Sequence, residues 1–463
     1  MNEYSLSFFG ARGDGQTDNS RAFAGALETL KEGGGGTLRV ERGVWRTGPL
    51  ELFSNTTVDL EAGAVISFIP EPDLYGPVYT RWEGIRCYAM HPCIFSRGQE
   101  HITLTGAGSL DGNGPVWWDL LRDKRRRGQT GPESPAEQEF ARLNPGFEKQ
   151  PNGGGGRGIQ FLRPPLVQFL NCRDVRLENI RLVNSPFWTL HPVFCEGLVI
   201  RGLSISNPPD APNTDGIDID SCGDVCIENC RISVGDDGIA LKSGSGEDGI
   251  KAGKPCRDVV VRGCTVEDGH GGIVIGSETA GGIFQVLAED CRFLGTDRGI
   301  RIKTRRGRGG AIRDLEFRNI IMENNLCPLV INMYYRCGAD ISDGFFSPDP
   351  QPVNGTTPSV KNIRVSGIRA SGCRASAGFI AGLPESPVEN LIMDQCEFST
   401  DEQSGVSPGE SDMFLGIPVV EGKSFRLLHV KNFECKGVHV QGPAEAFIYQ
   451  SGRIKMHQGS VTK

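Results

Sequence analysis

The sequence predicts an all-β protein, a single-domain parallel β-helix with one N-terminal capping helix. Three observations predict it. Short strands of alternating apolar residues recur at a spacing suited to one solenoid coil, 63 glycines punctuate them without a Gly-X-Y period, and one amphipathic helical pattern precedes them all.

The helical pattern runs from Thr17 to Glu32. Phe23, Ala26, Leu27 and Leu30 fall at helical spacing, Asp18 is the expected N-cap, and Gly33 to Gly36 stop the helix. Residues 1–36 therefore read as a cap over the open end of the sheet stack, where unpaired backbone groups would invite edge pairing. The strands that follow repeat as Val175–Ile180, Leu198–Leu203, Val225–Cys230, Val259–Cys264, Val286–Cys291, Leu315–Ile320, Ile363–Ile368 and Leu391–Cys396. Their last residues are 23, 27, 34, 27, 29, 48 and 28 positions apart. That is too long for a hairpin and too short for a separate domain, and it fits one coil contributing a strand to each face. Fainter coils lie at Val58–Leu60 and Ile102–Leu104, so residues 1–463 are read as one domain.

Cys230, Cys264 and Cys291 share a column with Ile180, Leu203 and Ile320, which places them inside as small apolar residues. Cys222, Cys226 and Cys230 have metal-like spacing, but alternation turns Cys226 away from Cys230, and no metal or cofactor site is read here. Two long insertions, 112–165 and 336–358, are expected as loops. Trp117 and Trp118 in the first have two open roles, stacking on sugar rings or pinning the loop to the barrel.

A net charge of -8 and a pI near 5.6 argue against a nucleic-acid partner. No apolar run is long enough to cross a bilayer. Met1 to Phe9 leave no room for a secretory leader before the first Gly-rich turn, and fifteen cysteines cannot all pair within a monomer. Together these predict reduced thiols and a cytoplasmic protein, with secretion as the alternative if a leader has been removed. The basic string Lys124–Arg127 reads as a solvated loop. Gly153–Gly158 matches a loose glycine fingerprint without its strand and helix, and Asp218-Ile219-Asp220 opens like a calcium loop without the later ligands. Asn55-Thr56-Thr57 and Asn354-Gly355-Thr356 are glycosylation sequons only in a secreted chain.

The chemistry concentrates between residues 213 and 303. Four segments share a glycine followed by alternating apolar residues: Asp215-Gly216-Ile217, Asp237-Gly238-Ile239, Gly271-Gly272-Ile273 and Arg298-Gly299-Ile300. Alternation sends the isoleucines inward, so Asp218, Asp220, Lys242, Arg301 and Lys303 point outward as a charged face. Neighbouring parallel strands lie about 4.8 Å apart, so equal phase sets Asp215 beside Asp237, with Asp236 next to them and His270 one coil on. Acids this close resist joint ionisation, and at least one is expected to titrate above a free aspartate. A single Asp-Gly pair is ordinarily a turn cap, but several in register, flanked by a histidine and outward cations, favour acid-catalysed glycoside hydrolysis.

Asn213-Thr214-Asp215, Gly235-Asp236-Asp237, Gly269-His270-Gly271 and Arg301-Ile302-Lys303, in this order, resemble the four signature motifs of the polygalacturonases, glycoside hydrolase family 28. Phe9-Gly10-Ala11-Arg12-Gly13-Asp14-Gly15 resembles the opening of many members. The resemblance implies a right-handed parallel β-helix (a pectin-lyase-like solenoid) that hydrolyses α-1,4 bonds between galacturonic acid residues with inversion. It makes Asp236 the general acid, gives Asp215 and Asp237 the water, and has His270 support the acid's protonation. Arg301, Lys303 and Lys242 would serve the galacturonate carboxylates, with Tyr335 or Tyr334 as the family's tyrosine. Close carboxylates alone would suggest retention, whereas the resemblance implies inversion.

An exo-acting enzyme on short oligogalacturonides inside the cell is the expectation, with Arg305, Arg306 and Arg308 either extending the cationic surface or lying in a solvated loop. An endo-polygalacturonase or a rhamnogalacturonan hydrolase is the alternative within the class. A non-catalytic β-helix that binds carbohydrate would have no reason to stack three aspartates, and a pectate lyase would need calcium ligands that are not evident.

Overall fold

The computed structural model describes residues 2–456 and 461–462, with side chains from Asn2 to Tyr449. The chain forms two compact units, Met1–Asp236 and Asp237–Lys463. Both are stacks of parallel coils, so the all-β parallel β-helix expected from the repeats is the fold of the protein.

In the first unit, Ile94–Arg97, Val167–Leu170, Leu190–Val193 and Ile217–Asp220 pair in succession along one face. Glu100–Gly106, Arg173–Glu178, Glu196–Arg201 and Gly223–Glu228 form a second face. Ser109–Asp111, Arg181–Val183, Ser204–Ser206 and Arg231–Ser233 form a third. The second unit repeats this plan, with Asp237–Lys242, Gly271–Gly276, Arg298–Lys303, Cys327–Asn332 and Gly378–Ala381 along its first face. The repeated segments keep the expected phase, Val175 opposite Leu198 opposite Val225, and Val259 opposite Val286 opposite Leu315 opposite Ile363. Cys230, Cys264 and Cys291 are buried as predicted, and Cys226 is half-buried on the opposite side of its strand.

The bends are fixed by left-handed residues. In the second unit Asp258, Gln285, Asp314, Asn362, Asn390 and Asn432 all lie between φ 54° and 57°, each one residue ahead of the apolar repeat position. Asn and Asp tolerate this region because their side chains bond locally. Here they also bond each other. Asn362 donates to Asp314 at 2.8 Å, Asn390 to Asn362 at 2.8 Å and Asn432 to Asn390 at 2.9 Å.

The helix begins at Ser20, not Thr17, because Thr17 and Asp18 belong to the strand Asp14–Asp18. Asp18 still acts at its start, accepting from the Ser20 amide at 2.9 Å. Phe23, Ala26, Leu27 and Leu30 form its buried face.

The first insertion carries two helices, Gly114–Arg126 and Pro135–Leu143. Trp117 and Trp118 are buried; Trp117 meets Tyr75 edge-on at 5.1 Å and Trp118 donates to the Ser185 carbonyl at 3.0 Å. They pin the insertion and offer no face to a sugar. Lys124–Arg127 is not a loop, although Arg125, Arg126 and Arg127 are exposed as expected. It ends the first helix, with Lys124 on buried Glu137 at 2.5 Å and Arg127 between Asp123 and Glu133.

An antiparallel hairpin, Pro77–Trp82 with Ile85–Met90, was not legible in the repeat and lies over the outer face of the first unit. Its Arg81 is fully buried and donates to Asp220 at 2.6 Å and to Ser221 at 2.8 Å. His191 lies 3.4 Å from the other Asp220 oxygen. Burial pushes the Asp220 carboxyl up, but Arg81 and His191 outweigh it and hold it at about 2. A carboxyl depressed in the fold stabilises fully above its ordinary value and loses that contribution as pH falls from about 4 to about 2. Arg81→Met, which strands Asp220, should destabilise by roughly 3–5 kcal/mol at neutral pH. Denaturant titrations from pH 7 to pH 2 should show this gap closing below about pH 4.

Candidate functional site

The first unit presents Asn213, Thr214 and Asp215 in the turn that leads into Ile217–Asp220. Asn213 is left-handed at φ 56°. Thr214 Oγ1 donates to the Ala211 carbonyl at 3.0 Å and accepts from the Gly235 amide at 3.4 Å, joining the first motif to the start of the second. Asp215 is buried and its carbonyl accepts from the Thr189 amide at 2.8 Å, whereas Asp236 is only half-buried. Asp218 and Asp220 do face outward from their strand, yet both are completely buried.

Behind the first motif stands Arg163, which sequence reasoning missed. Its guanidinium donates to the Pro186 carbonyl at 2.8 Å, the Pro212 carbonyl at 2.9 Å and Asn213 Oδ1 at 2.8 Å, and stacks over Phe187 at 5.1 Å. Burial, with Arg125 nearby, pushes it down to about 9. It has no motif, because it comes from the insertion and meets the turn only in three dimensions.

In the second unit Asp237 pairs with Gly271 in the next strand, and Val274 with Arg301 in the one after, so the glycine-based phase is correct there. Asp237 is 1 % exposed; Lys303 Nζ donates to its Oδ2 at 2.6 Å and Arg301 Nη1 to its Oδ1 at 3.4 Å. Burial pushes this carboxyl up, but Lys303, Arg301 and Lys242 outweigh it and hold Asp237 well below the usual range. Crowding does not win at this residue. Tyr335 lies under both cations, 5.3 Å from Arg301 and 5.2 Å from Lys303, while Tyr334 lies against Arg306. His270 is exposed ahead of Gly271. Lys242 is buried, 3.6 Å from Glu278.

Arg301 has a second carboxylate that no motif announced. Asp412, fully buried, accepts from Arg301 Nη2 at 2.5 Å and from Nε at 3.1 Å, and its other oxygen accepts from Asn332 at 2.9 Å. Although burial opposes it, the charges of Arg301 and Arg298 hold Asp412 at about 2. Its segment is latched by Arg298, which donates to the Glu410 and Ser411 carbonyls. Arg305, Arg306 and Arg308 are buried, neither a cationic surface nor a solvated loop. Arg306 pairs with Glu385 at 2.6 Å and holds the carbonyls of Phe345 and Ser347, and Arg308 donates to Ser245 at 2.6 Å.

The model of glycosyl hydrolases family 28 matches residues 160–407. A probable polygalacturonase of Vitis vinifera is 34% identical over 329 residues, 69% of this chain and 60% of its own length, so the chain spans well under two thirds of that relative. A hyperthermoactive exopolygalacturonase from Thermotoga maritima superposes with a TM-score of 0.74 at 35% identity, covering 87% of this chain and 88% of its own. The family 28 exopolygalacturonase of Yersinia enterocolitica shares the fold at a TM-score of 0.74 and 20% identity, covering 99% of this chain and 78% of its own.

These relatives overturn the cytoplasmic expectation. The matching polygalacturonases of Vitis vinifera, Persea americana and Pectobacterium carotovorum subsp. carotovorum are secreted enzymes that degrade cell walls. The cysteines misled because they are packing residues. All but half-buried Cys226 and Cys337 lie buried, and none is in a disulfide. A thiol that fills a coil interior carries no signal of compartment.

Arg163→Met should release the Asn213 turn while keeping most of the packing against Phe187. For a polygalacturonate-hydrolysing enzyme this predicts a fall in kcat/KM on the order of 10²-fold with the β-sheet circular dichroism unchanged.

Proposed function

Because the chain belongs to glycosyl hydrolase family 28, we propose that it hydrolyses the α-1,4 bonds between galacturonic acid residues of poly- and oligogalacturonides, with inversion and from a chain end. The observation that carries the chemistry is the clamp on Asp237. A buried carboxylate held ionised by Lys303 and Arg301 accepts protons and hydrogen bonds but does not donate them. The donor role then falls to Asp236, half-buried and next in the chain.

In this reading Asp236 protonates the leaving oxygen, Asp215 and Asp237 orient the attacking water and take its proton, and His270 supports the acid's protonation. Lys303 keeps N–H donors beyond the one spent on Asp237, so it is the cation best able to meet a galacturonate carboxylate. Arg301 backs it, and Tyr335 and Lys242 complete the substrate-facing set. Exo action is supported by the 35% identity to the Thermotoga maritima exopolygalacturonase.

Asp236→Asn keeps the shape of the acid but removes its proton, and should lower kcat by about 10²–10⁴ with the fold intact. Retention of more than about a tenth of wild-type activity would reassign the acid. Early products from polygalacturonate should be monomer with little loss of viscosity. A rapid viscosity drop with mixed oligomers would make the enzyme endo-acting instead.

A further inference from the structure

Between the hairpin and the helix Pro135–Leu143 the first unit carries a pocket of about 160 Å³ that the proposed reaction does not use. One lining residue is Arg157, only 2 % exposed. Its guanidinium donates to the Trp82 carbonyl and, through Nη1, to Cys87 Sγ at 3.9 Å, and lies 5.3 Å from the Trp82 ring centre. Its Nε–H is buried with no acceptor among the described residues. None of these partners is a carboxylate, in contrast to buried Arg81, which faces Asp220 at 2.6 Å. A guanidinium taken out of water without a counter-charge is costly, and a bound anion would supply what the described residues do not.

The rim is aromatic. Tyr79 and Tyr88 are cross-strand partners in the hairpin with ring centres 5.3 Å apart, and they remain 46 % and 37 % exposed. The walls are bonded to each other, since Asn144 at the helix end accepts from the Tyr88 amide at 2.8 Å and donates to the Tyr88 carbonyl at 2.8 Å. The pocket is therefore preformed. Its size is about half of the roughly 300 Å³ at the lower end for drug-sized ligands, which limits the occupant to one sugar residue or a chain end.

We propose that this pocket binds an acidic sugar, a single uronate residue whose carboxylate meets Arg157 and whose ring packs against Tyr79 and Tyr88. Planar guanidinium suits a carboxylate, and the apolar face of a pyranose suits an exposed tyrosine pair. The site belongs to neither the aspartate motifs nor the Lys303 cluster. Galacturonate is the probe because of the activity proposed above, and the choice rests on that reading.

The test is calorimetric titration of galacturonate, galactose and acetate into the wild-type protein, Tyr79→Ala/Tyr88→Ala and Arg157→Met. The double tyrosine variant should lose one class of galacturonate site, at least about tenfold in affinity. Its kcat/KM on digalacturonate should stay within about twofold of wild type. Galactose and acetate, each offering half of the complement, should bind the wild type at least about tenfold more weakly than galacturonate. Superimposable galacturonate isotherms for wild type and the tyrosine variant would overturn the proposal, as would galactose matching galacturonate or a folded Arg157→Met that binds unchanged. If Arg157→Met does not fold, the tyrosine variant decides, because both rings lie on the exposed face of the hairpin. The titration reads binding and not turnover, so an enzyme inactive on polygalacturonate would leave this result readable.

Discussion

Everything in each unit depends on coils that repeat their backbone at the same points. A parallel stack has no turn chemistry between adjacent strands to fix its register, so register must come from the bends and from side chains stacked in columns. The left-handed residues at 258, 285, 314, 362, 390 and 432 do this by holding the same conformation coil after coil, and the Asn362–Asn390–Asn432 ladder ties three of those bends together. A slip of one residue would send the inward isoleucines out and bring Arg301 and Lys303 into the core.

That strict register has an electrostatic consequence. The outward positions of the first face are charged, and the segments laid over them bury those charges. Each must then find its counter-charge within the chain or pay heavily for desolvation. Asp220 finds Arg81 from the hairpin, Arg301 finds Asp412 from a distant strap, and Asp237 finds Lys303 from the same sheet. The first two pairs hold the overlying hairpin and strap to their sheets. Arg298, bonded to the Glu410 and Ser411 carbonyls and 3.6 Å from Asp412, ties that strap to the sheet.

What was legible in the sequence follows the same division. The coils, the inward cysteines and the four motifs repeat or adjoin repeats, so alternation and phase located them. Arg163, Arg81 and Asp412 come from segments without periodicity, and their partners lie 50, 139 and 111 residues away. No local pattern carries that information. The outward charges were placed on the correct side of each strand, but alternation distinguishes only sheet faces. It does not say whether a face meets solvent or another segment, which is why the arginines after Lys303 read as surface and proved buried.

The buried arginines show how this fold separates structural from available charge. Arg306 meets Glu385 and backbone carbonyls, and the terminal nitrogens of Arg163 meet carbonyls and Asn213, so both are engaged with partners inside the chain. Lys303 differs because an ammonium engaged with one carboxylate still carries further donors, whereas a guanidinium in a fixed fork spends its donors on the partners that orient it. An outward lysine beside a buried aspartate thus remains able to meet an anion without releasing its partner. An arginine on the same strand, as Arg301 is, becomes scaffolding as soon as a second carboxylate such as Asp412 closes over it.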